Sequence, residues 1–348
     1  GGEGRRGNPG VPAVKLGILT AFRRQHRYYV RSCRELGVDH EVVDIIGDGW
    51  YERLRDSDCH GFLCRPPSKF AEWKAMYDER LWVLNRLLQR PIYPGLEELR
   101  LYENKRLSAY WLQHHGIPHP KTRVFYRKAE YMDFVSRRAE LPFVTKVNTG
   151  STGKGVRIVR SRLAARMIGH LAFGVFNNKV APGYSPQTTG RVIPFPAIGT
   201  FQRHHVLLQE YHPLRWEWRV VRIGESYFGH RKLLEGDYAS GSRRKGWVPP
   251  PEELLQLVHR ICDTGGFRSM AVDVFETEEG EYLVNELQSI FGQSTDHLMY
   301  VDGRPGRYLN EKGSFRFQEG EFNRHRSFLL RVQDFVRILE ADAKRRSS

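Results

Sequence analysis

The chain has 348 residues, 40% of them hydrophobic, and its 55 Lys and Arg against 40 Asp and Glu leave a formal charge of +15. That length buries a real core in two or three lobes, and no apolar run approaches the roughly 18 residues of a helical membrane span. The charge points to an anionic partner: nucleic acid, a polyanionic polymer, or a phosphorylated or carboxylated small substrate.

The basic residues are spread along the chain, and no nucleic-acid-binding motif is visible. Residues 1–12 begin GGEGRRGNPG, lack the apolar stretch of a secretory signal, and read as a disordered arm or tag remnant. Cys33, Cys59, Cys64 and Cys262 fall at irregular spacing, which suits neither a disulfide framework nor a zinc site. Reduced thiols in a cytoplasmic protein are the expectation.

Strands are predicted at 14–20, 40–46, 61–64 and 91–93, separated by helices at 25–36, 51–57 and 69–88. Such alternation predicts a small parallel α/β domain, placed at 13–98. No Gly-x-Gly-x-x-Gly fingerprint occurs in it, so no dinucleotide site is expected. A helix at 103–115 carries Leu107, Tyr110, Trp111 and His114 on one face and stops at Gly116. A strand at 123–126 and a helix at 128–138 follow.

Residues 141–160 read LPFVTKVNTGSTGKGVRIVR. A short β-type run ends on Lys146, a loop carries Gly150, Gly153 and Gly155, and an apolar strand follows at 156–159. Successive amides of such a loop can cradle phosphate oxygens. The spacing is not the Walker pattern, and a surface hairpin with a glycine-rich tip is the plainer alternative.

A helix from 161 to about 170 leads into an irregular, proline-rich stretch at 173–202, of the kind that is often a functional loop. The central lobe is placed at 99–210 and the last lobe at 211–348. Strands are predicted at 206–211, 217–223 and 225–231, a helix at 249–264, a hairpin at 268–275 and 281–286, and a closing amphipathic helix at 328–344. Between them, 237–245 (DYASGSRRK) is a basic loop whose Arg243, Arg244 and Lys245 either recruit an anionic substrate or stand solvated and inert.

Asp273 lies in the apolar strand SMAVDVF and Glu286 near the end of the next, YLVNELQ. Across a hairpin both carboxylates, with Gln288 two residues on, can face one side. A carboxylate in an apolar strand is costly unless it is paired or bound to a cation. An oxygen-only set suits Mg²⁺ that also holds phosphates, and salt-bridged carboxylates are the alternative. Lys105 and Lys146 flank the glycine-rich loop. Arg219 and Arg231 lie on neighbouring strands, and arginine stabilises transferring phosphoryl groups or makes routine ion pairs.

From Asn104 to residue 292 these motifs, in this order, resemble ATP-grasp proteins. They are most similar to the carboxylate–amine ligases that add glutamate to a ribosomal protein, and more distantly to D-alanine–D-alanine ligases. Asn-Lys with Leu-x-x-x-Gly-Ile-Pro-x-Pro-x-Thr resembles the opening of the family's central lobe, which implies that Lys105 is the first nucleotide lysine. Pro-Phe-Val-x-Lys implies that Lys146 is the second. The glycine-rich loop, with Ser151, Thr152 and Gly153, would cover the phosphates. Leu-Leu-Gln-Glu-Tyr resembles the hinge that meets adenine, at Gln209, Glu210 and Tyr211. Glu217 would lie near the ribose, Arg219 by an acyl phosphate, and Arg231 at a phosphate. Asp273, Glu286 and Gln288 would hold Mg²⁺ or Mn²⁺. The family usually ends this last motif Glu-x-Asn, so Gln288 is a departure.

The resemblance implies an ATP-grasp architecture, α/β at the N-terminus and α+β in the two lobes that follow. It implies a ligase that joins a carboxylate substrate, an amino acid or peptide, to an amine through an acyl phosphate, with at least one of the two substrates anionic. Two alternatives stay open: a kinase of the same fold acting on an anionic small molecule, and a nucleotide- or polyanion-binding module that turns nothing over. Phosphate retained on the organic product would mark the kinase, and silence in ATPase assays the module.

Overall fold

Leu16 and Ile18 leave the first strand, β1 (Lys15–Leu19), toward one layer of core, and Leu19 leaves it toward another. This follows from the period of two along a strand. The computed structural model describes residues 14–21, 24–68, 71–150, 155–174, 184–185, 200–236, 238–239, 245–291 and 295–347. After β1 come α1 (Arg27–Leu36), β2 (Asp39–Val43), α2 (Trp50–Arg55), β3 (Gly61–Leu63), α3 (Ala71–Trp82), β4 (Ile92–Tyr93) and α4 (Leu96–Leu101). The strands form a parallel sheet in the order β2-β1-β3-β4. Tyr77 and Leu81 of α3 cover one face with Leu96 and Leu99 of α4. Tyr29 and Cys33 of α1 lie on the other.

The sequence suggests one helix at 69–88. The chain instead leaves α-geometry after Trp82 for a π turn over Val83–Leu87. The six-residue α4 escapes sequence reading because it is too short to show a period. Its Glu98 folds back to accept a hydrogen bond from the Gly95 amide at 2.6 Å.

The second sheet is antiparallel. Its elements are α5 (Lys105–His114), β5 (Thr122–Phe125), α6 (Lys128–Arg137), β6 (Phe143–Lys146), β7 (Val156–Val159) and α7 (Arg162–Phe173). Within the 173–202 stretch, the two-residue strands β8 (Tyr184–Ser185) and β9 (Thr200–Phe201) pair with each other. Most of that stretch lies outside the described residues. β10 (Val206–Glu210) then gives the order β5-β10-β6-β7. Val206 and Leu208 pack under α6 and α7 with Tyr131 and Ala165. The alternate residues, Leu207 and Gln209, therefore face away from the helices, with Leu207 paired to Lys146.

The third sheet begins with β11 (Leu214–Ile223) and β12 (Ser226–Lys232); a separate two-stranded ribbon of β13 (Leu234–Glu235) and β14 (Tyr238–Ala239) follows, and β15 (Lys245–Gly246) rejoins the sheet beside β12. α8 (Glu252–Gly265), β16 (Ser269–Thr277), β17 (Tyr282–Gln288), β18 (Tyr300–Val301), β19 (Arg304–Glu311) and β20 (Ser314–Glu319) complete it. Its main path is β17-β16-β11-β12-β19-β18. Leu254, Val258 and Ile261 of α8 pack on one face against Trp218, Val220, Val272 and Val274.

The last helix, α9 (Phe328–Ser347), sends Phe328, Val332, Phe335 and Leu339 onto the first sheet, against Leu16, Ile18 and Leu63. Gly61 permits the contact, because a Cβ there would run into the Phe335 ring. The helix reaches the last lobe too, where Asp334 accepts from Arg268 and Arg331 donates to Ser269 of β16. Among the described residues no helix is long and apolar enough to cross a membrane.

Candidate active site

Lys105 is the first residue of α5, whose amino end is capped by the Asn104 side chain accepting from the Leu107 amide at 3.3 Å. The same turn is tied to the start of the glycine-rich loop. Asn148 accepts from the amides of Lys105 (3.2 Å) and Arg106 (2.9 Å), and Lys105 Nζ donates to the Gly150 carbonyl at 2.7 Å. From there Nζ reaches Glu286 at 3.2 Å and Glu103 at 3.6 Å. Burial opposes the charge on Lys105, but Glu286 and Glu103 outweigh it and raise its pKa. Glu103 is pushed up to about 7 by its own burial.

Lys146 ends β6 and turns into the same space. Its Nζ donates to Asn285 Oδ1 at 2.7 Å. Burial, reinforced by the charge on Lys105, brings its pKa down to about 8 despite Glu286 nearby. Asn285 in turn donates to Glu217 Oε1 at 2.9 Å. That side chain reaches the cleft because of a β-bulge. Asp273 pairs with Glu286 and Val274 with Val284, so Asn285 is the extra residue between them. A bulge re-aims side chains in just this way.

The large sheet supplies the other half. Arg219 and Asp273 are register partners and make a bidentate pair, Nε to Oδ1 and Nη2 to Oδ2, both at 2.8 Å. Lys232 Nζ adds a third contact to Asp273 at 2.6 Å and lies 3.5 Å from Glu217. Burial would raise the Asp273 pKa, but Arg219 and Lys232 hold it well below the usual carboxylate range. Glu286 is likewise held low against its burial, chiefly by Lys105. Glu217 is pushed up, first by burial.

The sequence candidates do not all converge. Lys105, Lys146, Glu217, Arg219, Asp273 and Glu286 come together, and Gln288 hydrogen-bonds to Glu286. Arg231 does not join them. It pairs across the strands with Trp218, and its guanidinium stacks 4.7 Å from both the Trp216 and Trp218 rings, on the α8 face. Its neighbour Lys232 turns to the carboxylates instead. Nor does Glu217 reach outward, because its two oxygens face Asn285 and Lys232.

Lys245 is no solvated cation. It donates to Thr295 Oγ1 at 3.2 Å, lies over Trp247, and is brought down to about 8 by burial and then by Arg219. Ser151, Thr152 and Gly153 lie outside the described residues, as do Arg243 and Arg244.

Between α5, β10 and β17 runs a slot walled by Ala109, Leu112, Leu207 and Val284, with Lys105 and Lys146 at it. Gln209 lines it and donates to Thr122 Oγ1 at 3.1 Å. Glu210 lies at the end of β10, 3.6 Å from Lys121, and Tyr211 follows it. Sequence reading missed Asn285 and Lys232. Asn285 was visible only as the residue before Glu286. Lys232 was visible only as the residue after Arg231.

A small parallel α/β sheet, an antiparallel lobe with a glycine-rich hairpin, and a large antiparallel sheet bearing carboxylates across a shared cleft make the ATP-grasp fold. Solved structures agree. A RimK-domain ATP-grasp protein from Sphaerobacter thermophilus is similar over 79% of this chain and 90% of its own, at 19% identity and a TM-score of 0.52. N5-carboxyaminoimidazole ribonucleotide synthetase from Thermotoga maritima is similar over 82% of this chain and 70% of its own, at 15% identity and 0.53. The biotin carboxylase domain of the Hydrogenobacter thermophilus 2-oxoglutarate carboxylase, in complex with MgADP, ADP and bicarbonate, is similar over 80% and 65%, at 14% identity and 0.54. No family model and no curated protein sequence matches the chain.

Proposed function

We propose that this protein is an ATP-dependent carboxylate–amine ligase that forms an amide or peptide bond and releases ADP and phosphate. The observation that carries the reading is the meeting of Lys105 and Lys146, from the central lobe, with Glu286, Asp273, Arg219 and Lys232 of the large sheet. Two lobes that bring phosphate-binding cations to a carboxylate pair suit a nucleoside triphosphate between them. The MgADP of the Hydrogenobacter domain and the ADP of other neighbours support that reading of the cleft.

The donor set fits Mg²⁺, and Mn²⁺ takes the same oxygens. Glu286 keeps acceptor capacity beyond Lys105 and Gln288, whereas Arg219 and Lys232 engage both oxygens of Asp273. An ion would therefore rest chiefly on Glu286 and the Gln288 amide, with the remaining lone pair of Asp273. Bound there, it would neutralise charge on the transferring phosphoryl group.

The protein's own groups do the rest. Lys105 and Lys146 bind phosphates, and Ser151, Thr152 and Gly153 close over them. The Leu207–Val284 slot takes the flat base, with Gln209, Glu210 and Tyr211 along its edge. We read Glu217 as positioning Lys146 through Asn285, not as a ribose ligand. A substrate carboxylate oxygen bonds to the γ-phosphorus as the bond to ADP breaks. The amine nitrogen then bonds to the acyl carbon, the carbon–oxygen bond to phosphate breaks, and the amine proton leaves to phosphate or solvent. Arg219 and Lys232 offset the charge that develops in both steps, the second in the role first assigned to Arg231. The substrates are an amino acid or peptide carboxylate and an amine, at least one of them anionic. The setting is read as cytoplasmic, since all four cysteines are free and buried.

The test is a screen of amino acids and small peptides with MgATP, read by ADP release, free phosphate and product mass. Substrate-dependent free phosphate together with an amide product supports the ligase. Phosphate kept on the product would replace it with a kinase, and no turnover on any mixture would leave a binding module.

A further inference from the structure

Two arginines outside the phosphoryl cleft, one buried and one half-buried, have no carboxylate partner among the described residues. Arg331 of α9 is 0% exposed. Its Nε donates to Ser269 Oγ at 3.0 Å and its Nη1 to Ser327 Oγ at 3.1 Å, while Nη2 has no hydrogen-bond partner. Its guanidinium lies 4.4 Å from the Phe291 ring and 5.0 Å from Phe328. Arg65, in the loop after β3, sits 5.5 Å from that same Phe328 ring. Its Nε donates to Gln25 at 2.5 Å, and its buried Nη1 has no partner.

The acids in range are committed elsewhere. Glu98 accepts from the amides of Gly95, Arg268 and Ser269. Asp334 accepts from Arg268 and from the Tyr93 hydroxyl. Burial raises the pKa of Tyr29, Tyr93 and Tyr102, which stay neutral. Arg326, over Tyr28, adds a third positive charge. A guanidinium cannot shed its proton, so this charge is left for something else to offset.

The place is suited to a ligand. In the order β2-β1-β3-β4 the chain passes from β1 to β2 on one side and returns to β3 on the other. The crevice beyond the carboxyl ends of β1 and β3 is therefore the switch point of the sheet, where open parallel sheets bind ligands. Gln25 comes from the loop after β1 and holds Arg65 from the loop after β3. Phe291 lies five residues beyond Glu286 on the chain leaving β17. Tyr102 feels the charges of both Arg65 and Glu286.

We propose that Arg65 and Arg331 bind a second anionic group, a carboxylate or a phosphate, on the substrate whose reacting end meets the phosphoryl cleft. The assignment to that substrate rests on the ligase reading; the anion site itself does not. Planar guanidinium edges pair with either group through parallel charge-assisted hydrogen bonds. The substrate class narrows accordingly to compounds with two separated functional ends, one reacting and one anionic.

The full chain is titrated by calorimetry with glutarate, with inorganic phosphate and with the neutral glutaramide. One of the two anions is expected to bind, glutaramide is not, and Arg65→Met weakens that binding by about tenfold or more. Whichever anion binds names the source. Arg65→Met leaves ATP affinity unchanged, and Arg331→Met without added anion melts no lower than the parent, because an unpaired buried charge has gone. Binding of neither anion, or equal binding by Arg65→Met, overturns the site, as does a drop in melting temperature for Arg331→Met. If the anion binds through Arg65 but no amine and carboxylate mixture yields product, the site stands and the ligase reading falls.

Discussion

Arg219 and Arg231 stand on neighbouring strands of one sheet and meet opposite environments. Arg219 shares its face with Glu217, Lys232, Asp273 and Glu286, every one of them engaged with a partner of opposite charge or an amide. Arg231 shares its face with Trp216, Trp218 and the apolar core under α8, and its Nε has no hydrogen-bond partner. One face is held together by charge and the other by packing. A single residue of register decides which side a cation joins. The lesson is that Arg231-Lys232 cannot be assigned by motif position alone, since either residue satisfies a pattern that asks for a cation there.

The comparison breaks most severely at its anions. Asp273→Asn and Glu286→Gln are each expected to abolish turnover at physiological Mg²⁺. Asp273→Asn also leaves Arg219 and Lys232 buried without their shared anion, which costs about 3 kcal/mol or more of stability. Steady-state kinetics beside thermal melting checks both, and retained turnover in either variant defeats the metal assignment.

A sharper version exchanges the two cations. Lys232→Met should lower turnover by about a hundredfold or more, as when one charge-stabilising donor is removed. Arg231→Met should keep activity within about threefold and lose about 0.5–2 kcal/mol of stability, the worth of a cation stacked on rings. The opposite ranking in activity would mean that the strand pairs in a shifted register.

Lys146 gives a middle-sized effect. Lys146→Ala should weaken ATP binding about tenfold or more, about 1.4 kcal/mol, with the far-UV spectrum unchanged. With its pKa down at about 8, the free lysine is mostly neutral at pH 9. A polyphosphate beside it favours the charged form, so ATP binding at pH 9 should take up a proton. Affinity should then fall as pH rises from 8 toward 10. Calorimetry in two buffers of different ionisation heat measures the uptake. An equal uptake in Lys146→Ala would move the phosphates away from this residue.

The smallest change is Gln288→Asn, which shortens the amide to the length usual in ATP-grasp ligases. Activity is expected to stay level or rise slightly, and inactivation as deep as that of Glu286→Gln would give the longer side chain a role of its own through its bond to Glu286.

Where the site could be read from sequence, a local pattern carried it. Lys105 stands in the Asn-Lys motif at the start of a helical run, Lys146 ends a strand before a glycine-rich loop, and Asp273 and Glu286 are charges inside apolar strands. The parallel first sheet was legible for the same reason, since strand and helix alternate with clear periods. Asn285 was not legible, because a bulge is a property of two paired strands and leaves no period in either. Lys232 was hidden behind an arginine. β19 and β20 escaped notice because β19 is mostly half-buried with no alternation and β20 is mostly exposed, so a period of two says little about either. The apolar stripe of α9 announced a helix but not its partner, which is the general weakness of amphipathicity as a guide to tertiary contact.

That stripe has a consequence for how the protein is made. Leu16, Ile18 and Leu63 emerge early, but Phe328, Val332, Phe335 and Leu339, which cover them, come roughly 310 residues after β1. At ribosomal rates of about 5–20 residues per second the first sheet waits on the order of 15 to 60 s for α9 to complete that covering layer. During that interval α1 alone shields that face, and the apolar surface reserved for α9 stays open on the nascent chain, a place for a chaperone to hold until the last helix arrives.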